Sequence, residues 1–328
     1  MDLPYGFHNK LSNTVGSTKS SHHLPVQILT GNITHELEIA ARRNGLTEER
    51  AIASGLIDAN LVFCFGPERP VPPFVVLESK MVHLQESYLA YLWATIYSTF
   101  VIYELGVQAP MMKGTFDGTC KYDSQELIRA KTLGEWAKRF AFQYEPWDEG
   151  ALPNPRKHLD LTEEQLARKA NAIFLRAVTY LIAHEFGHLS GRHNVEISDI
   201  ARIEQEKEAD NFALTFLAGD EASESEKQIS GAALVMLTCS NLFLTKQFPQ
   251  VWKQRHPHTH DRIRNAISGL NLTSEHSKYY LYYLAAIGLK QYLDSKRLEC
   301  SAPIADTAEE LFLWYLDRYD ELLISLTA

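Results

Sequence analysis

Between Ala172 and Ala183 the chain is apolar almost all the way round a helical wheel: Ala172, Ile173, Phe174 and Leu175, then Ala177 and Val178, then Tyr180, Leu181, Ile182 and Ala183. A helix without a polar face must be wrapped on every side by other elements. The segment therefore demands a folded domain with this helix through its interior. Thr162-Glu163-Glu164-Gln165 has the form of a capping box with Thr162 at the N-cap, which predicts the helix start. Gly187 and Gly191 weaken helix propensity further on, and Gly191 is the expected stop. Polar side chains near that end sit beside apolar surroundings and are costly unless they find partners.

The rest of the chain supplies the wrapping. Ser198 or Asp199 is placed to cap a second helix that runs to about Leu217 and ends at Gly219. Further helices are expected over 226–246, 261–270, 276–296 and 306–325. Two short strands, Leu61 to Phe65 and Phe74 to Leu77, flank the turn Gly-Pro-Glu-Arg-Pro-Val-Pro-Pro. Residues 145–157, with Pro146, Pro153 and Pro155, read as a loop. The fold class is thus mainly α (α+β), with a small β-sheet. An N-terminal α/β region, 1–85, is expected to precede a helical domain, 86–328, whose core lies at about 160–270.

Ser87 to Tyr103 and Gln228 to Thr245 carry no charge. Both are at the short limit of the roughly 17 to 25 residues that span a bilayer, and both contain several polar side chains. Leu89, Leu92, Trp93, Ile96, Phe100 and Tyr103 recur at helical spacing, which favours a buried core helix over a membrane span. The formal charge of −9 argues against a nucleic-acid partner, since phosphate-binding domains present a basic surface. Cys64, Cys120, Cys239 and Cys300 show no CxxC spacing, so reduced thiols in a cytoplasm are expected rather than a disulfide framework. The polar N-terminus has no basic start followed by an apolar block, so no secretory signal is expected.

Histidines four apart on a helix project from one face and can reach one tetrahedral zinc ion. His184 and His188 have that spacing at the end of the apolar helix, and Glu185 follows the first of them as candidate general base. A catalytic zinc needs a third protein ligand and a position left open for water. Two candidates compete. A third histidine at 194 would continue the run after Gly191, but Asn194 stands there and His193 is one position short. Glu206 is the stronger candidate: Ile203, Glu206, Asp210, Ala213, Leu214 and Leu217 form one stripe of the second helix, apolar but for two carboxylates. Asp210, one turn on, is placed to accept the free ring N–H of a zinc-bound imidazole. Glu204 and Glu208 point elsewhere, toward solvent. In Arg255-His256-Pro257-His258-Thr259-His260-Asp261-Arg262-Ile263, an imidazole or guanidinium is a candidate for stabilising negative charge on a carbonyl oxygen, His256 first among the histidines.

Taken in order, His184-Glu185-Phe186-Gly187-His188, then Glu206-Lys207-Glu208-Ala209-Asp210, then His256-Pro257-His258-Thr259-His260-Asp261-Arg262-Ile263 resemble the motifs of the gluzincin metallopeptidases, above all the Ste24 and HtpX-like group. The resemblance covers about 165–270. It implies a zincin-like domain, zinc ligands His184, His188 and Glu206, Glu185 as base, and His256 and Arg262 near the centre. It implies a protein or peptide substrate hydrolysed by metal-activated water. Members of that group are often integral membrane enzymes, whereas this chain has no convincing span; the Lit-type phage-exclusion peptidases look like a parallel of similar size. The alternatives are a zinc-fold sensing or binding module without catalysis, and a membrane-bound housekeeping peptidase.

Overall fold

The structure, a computed structural model, describes residues 24–46, 48–53, 56, 59–193, 198–218, 222–244, 259–298 and 305–325. A 3-10 turn, Pro25–Leu29, leads into α1 (Thr30–Arg43) and the short α2 (Glu48–Ala53). Three strands follow: β1 (Asn60–Cys64), β2 (Phe74–Val76) and β3 (Met81–Gln85). Next come α3 (Glu86–Tyr103), a π-helical turn at Glu104–Gln108, α4 (Ala109–Met112) and α5 (Gln125–Phe140). The remaining helices are α6 (Leu161–Ser190), α7 (Asp199–Ala218), α8 (Glu224–Leu244), α9 (Thr259–Gly269), α10 (Glu275–Ser295) and α11 (Ala308–Ser325). The molecule is mainly helical with one small sheet.

Two helices form the centre. Every residue of α3 except Thr95 is buried, so the uncharged stretch is a core helix wrapped by its neighbours. No helix among the described residues is long and apolar enough to cross a membrane. The second central helix is α6, whose apolar run packs against α3, α7 and α8. It starts two residues before the expected cap: Asp160 is the N-cap, and its side chain accepts from the Glu163 backbone N–H. Glu163 in turn accepts from the Leu159 N–H, one residue before the N-cap, and from Arg129, so the cap is a variant of the capping box displaced from Thr162.

The sheet has the order β1-β3-β2. β1 pairs parallel with β3, Leu61 opposite Val82 and Phe63 opposite Leu84, and these four are the buried positions of the two strands. β2 pairs antiparallel with β3, Val75 opposite Val82, and the Phe74 ring stacks on His83 at 4.9 Å. The two strands expected around the proline-rich turn are therefore not partners; the unanticipated β3 lies between them. Among the described residues β2 is an edge strand, and it packs against α6.

Candidate metal centre

The last turns of α6 carry His184, Glu185 and His188, and α7 lies against that end. The approach is close because of Gly187: a Cβ there would lie 2.8 Å from Ala209 Cα, inside contact distance with backbone. Two helices that meet this tightly bring the Glu206 and Asp210 face of α7 onto the histidine face of α6.

His184 Nε2 and His188 Nε2 are 3.1 Å apart. Glu206 reaches both, its Oε2 lying 3.6 Å from His184 Nε2 and its Oε1 3.6 Å from His188 Nε2. The three donor atoms lie within 4.8 Å of one another and are mostly screened from solvent. Asp210 Oδ1 is 3.0 Å from His184 Nδ1, and a carboxylate only accepts, so in the neutral form of the ring the proton belongs on Nδ1 and the lone pair on Nε2, the atom facing His188 and Glu206. These two ring nitrogens and the carboxylate form a group that could hold a metal ion. The two-histidine, one-carboxylate donor set is one that zinc takes in catalytic sites.

Asp210 is held from three sides. The Tyr180 hydroxyl donates to its Oδ1 at 2.9 Å, and Arg262 of α9 donates through Nε to Oδ2 at 2.8 Å and through Nη2 to Oδ1 at 3.1 Å. Arg262 Nη2 also donates to Glu206 Oε2 at 3.3 Å. Burial works to raise the Asp210 pKa, but Arg262 and the hydrogen bonds from His184 and Tyr180 hold it below the usual carboxylate range. Burial lowers His184, yet the carboxylates of Asp210 and Glu206 outweigh it and carry the imidazole to about 9. His188 is lowered to about 4 by burial and by the neighbouring His184, so its ring is neutral at pH 7.

Glu185 is buried on the cleft side of α6. Burial raises its carboxyl to about 7, with Glu206 adding to the rise, while His184 and the Val75 backbone N–H, which donates to it, pull the other way. Val75 belongs to the edge strand β2, so strand and base share one wall. The cleft, of about 1010 Å³, runs from Pro72 to Glu78 across the three donor side chains and Glu185 to Leu214, Leu237 and Arg262.

His184, Glu185, His188, Glu206, Asp210 and Arg262 are thus brought to one place from three helices. His256, His258 and Asn194 lie outside the described residues. His193 is not among the three converging donors; its Nδ1 lies 2.8 Å from His188 Nδ1. Glu208 is exposed, as its position on α7 suggested, but its Oε2 lies 3.0 Å from His193 Nε2. Tyr180 and β2 were not anticipated as parts of the site. Tyr180 had a readable signal, since it stands one turn before His184 on the same helix face.

Comparison with known proteins gives the class of protein in which this cluster sits. Residues 82–285 match the Peptidase U49 family, from β3 to within α10, so the match takes in every converging side chain. The chain belongs to the Peptidase U49 family. It is 27% identical over 158 residues to the cell death peptidase of Escherichia coli (strain K12), a match covering 47% of this chain and 50% of that protein. The chain thus spans about half the length of the curated relative it matches. No solved structure matches.

Proposed function

We propose that the chain is a zinc-dependent endopeptidase of the gluzincin type, with His184, His188 and Glu206 as the metal ligands and Glu185 as general base. The observation that carries this reading is the convergence of two inward-facing Nε2 atoms and one carboxylate, with Glu185 in the same cleft. A zinc ion held there would act as a Lewis acid and bring the pKa of a water close to neutrality.

The chain's own groups account for the remaining work. Glu185 is placed to take a proton from the attacking water and return it to the leaving amine. β2, which among the described residues has β3 on one side only, lies along the cleft wall where an extended segment of substrate can align. Asp210 fixes His184, and Arg262 offsets the negative charge of Asp210 and Glu206 without competing for the imidazoles. The likeness to the cell death peptidase supports a protein as substrate. The free thiols of Cys64, Cys120 and Cys239 suit a reducing cytoplasm.

The test is Glu185→Gln, assayed on a quenched fluorescent peptide library alongside zinc content. The expected result is retained zinc with cleavage reduced by about 100-fold or more, the usual scale for loss of a general base. A variant that cleaves at the wild-type rate removes Glu185 from the chemistry.

A further inference from the structure

α6 ends in a turn that folds the chain back on the helix. Arg192 adopts the left-handed conformation, φ 51°, and two reverse hydrogen bonds close the turn: Arg192 N–H to the Leu189 carbonyl at 3.2 Å, and His193 N–H to the His188 carbonyl at 3.1 Å. This is the Schellman arrangement. It returns the residue five positions after His188 to the side of His188 itself, and the His193 ring is buried there.

Gly191 makes the return possible for a reason other than backbone freedom. Its φ of −71° suits any residue, but a Cβ on it would lie 2.3 Å from His193 Nε2. The glycine is where the ring needs room.

The hydrogen-bond directions then follow from chemistry. Glu208, a carboxylate, can only accept, so His193 Nε2 donates to Glu208 Oε2 across 3.0 Å. In the neutral ring His193 Nδ1 is then an acceptor. The atom facing it at 2.8 Å, His188 Nδ1, must be the donor, which leaves the lone pair of His188 on Nε2, the atom turned toward His184 and Glu206. His184 obtains the same orientation from Asp210. The two imidazoles are thus fixed by different devices, one by a direct carboxylate and the other by an interposed histidine.

We propose that His193, backed by Glu208, is a positioning residue that sets the tautomer and ring plane in which His188 presents Nε2 to a divalent metal ion. The proposal rests on the metal-centre reading above and gives the turn after α6 a role that ligand spacing alone does not. It also accounts for Gly191 in the His-x-x-Gly-x-His run without making His193 a ligand.

The test uses the full chain, with zinc affinity measured by competition with a chromophoric chelator and the absorption spectrum of the cobalt-substituted protein as a readout of ligand geometry. Loss of a partner behind a metal-bound histidine costs about 10- to 100-fold in affinity. His193→Ala is expected to weaken zinc by that factor and to change the cobalt spectrum, and His193→Gln, which keeps an acceptor for His188, is expected to recover much of both. Should His193→Ala not fold, Glu208→Ala carries the test, because Glu208 is on the solvent side; it is expected to weaken zinc several-fold, a smaller loss than for the direct partner. Unchanged zinc affinity and cobalt spectrum in the variants that fold would overturn the proposal. If instead wild type and His188→Ala bind zinc equally, the metal-centre reading itself fails and takes the proposal with it.

Discussion

Two carboxylates show how differently the same chemical group can serve this chain. Asp210, partly buried, gathers Tyr180, His184 and Arg262 beside the proposed metal ligands. Glu163 sits at the start of the same long helix, far in sequence from the site. Its Oε1 accepts from Arg129 Nε at 2.9 Å and its Oε2 from the Leu159 N–H at 2.7 Å, with only 3% of the side chain exposed. Arg129 also donates to the Ala151 carbonyl at 2.9 Å, tying the proline-rich loop to α5 and α6. Removing one partner of a buried ion pair leaves the other uncompensated, at a cost of about 3 to 5 kcal/mol. Glu163→Ala is therefore expected to lower unfolding free energy by about 3 kcal/mol in a denaturant titration with no change in zinc affinity. A loss below about 1 kcal/mol would show that the pair is replaced by water.

The packing of α6 on α7 turns a sequence pattern into a site, and its narrowest point is Gly187 against Ala209. Gly187→Ala improves intrinsic helix propensity by about 1 kcal/mol, yet the added methyl must push backbone away. The predicted outcome is a folded protein with far-ultraviolet dichroism close to wild type and zinc affinity reduced by about tenfold or more, since Glu206 moves with α7. Wild-type zinc affinity in that variant would mean that the helix contact does not set the ligand distance.

Much of this arrangement was legible because helices announce themselves by period. The apolar run before His184 and the Glu206, Asp210 stripe located both helices and the face on which they meet. The cap did not read correctly, because Asp160 and Thr162 are both competent oxygen acceptors near the same start. β3 escaped because Met81-Val82-His83-Leu84-Gln85 alternates over only five residues and passes into α3 without a glycine or proline between them. α5 carries a signal of the same kind: Ser124 caps it, and Leu127, Ala130, Leu133 and Trp136 fall on its buried face. The role of β2 was out of reach of the sequence, since an edge strand is defined by what pairs beside it. The His193 turn was visible only as a misfit of one residue to a three-histidine pattern.

In the molecule as a whole, two buried helices, α3 and α6, form a scaffold from which the sheet edge, α7 and α9 converge on one end of α6. Its members come from positions 75 to 262, so the centre exists only in the folded chain. Family membership accounts for the peptidase class and the geometry for the proposed metal. These join at Glu206, the one donor in the triad that does not come from α6. The most direct measurement is the zinc content of the purified chain set against that of Glu206→Ala by plasma mass spectrometry. About one zinc per chain in the wild type, falling well below that in the variant, is the predicted result for a three-ligand site. Equal zinc in both, or none in the wild type after purification without chelators, would contradict it.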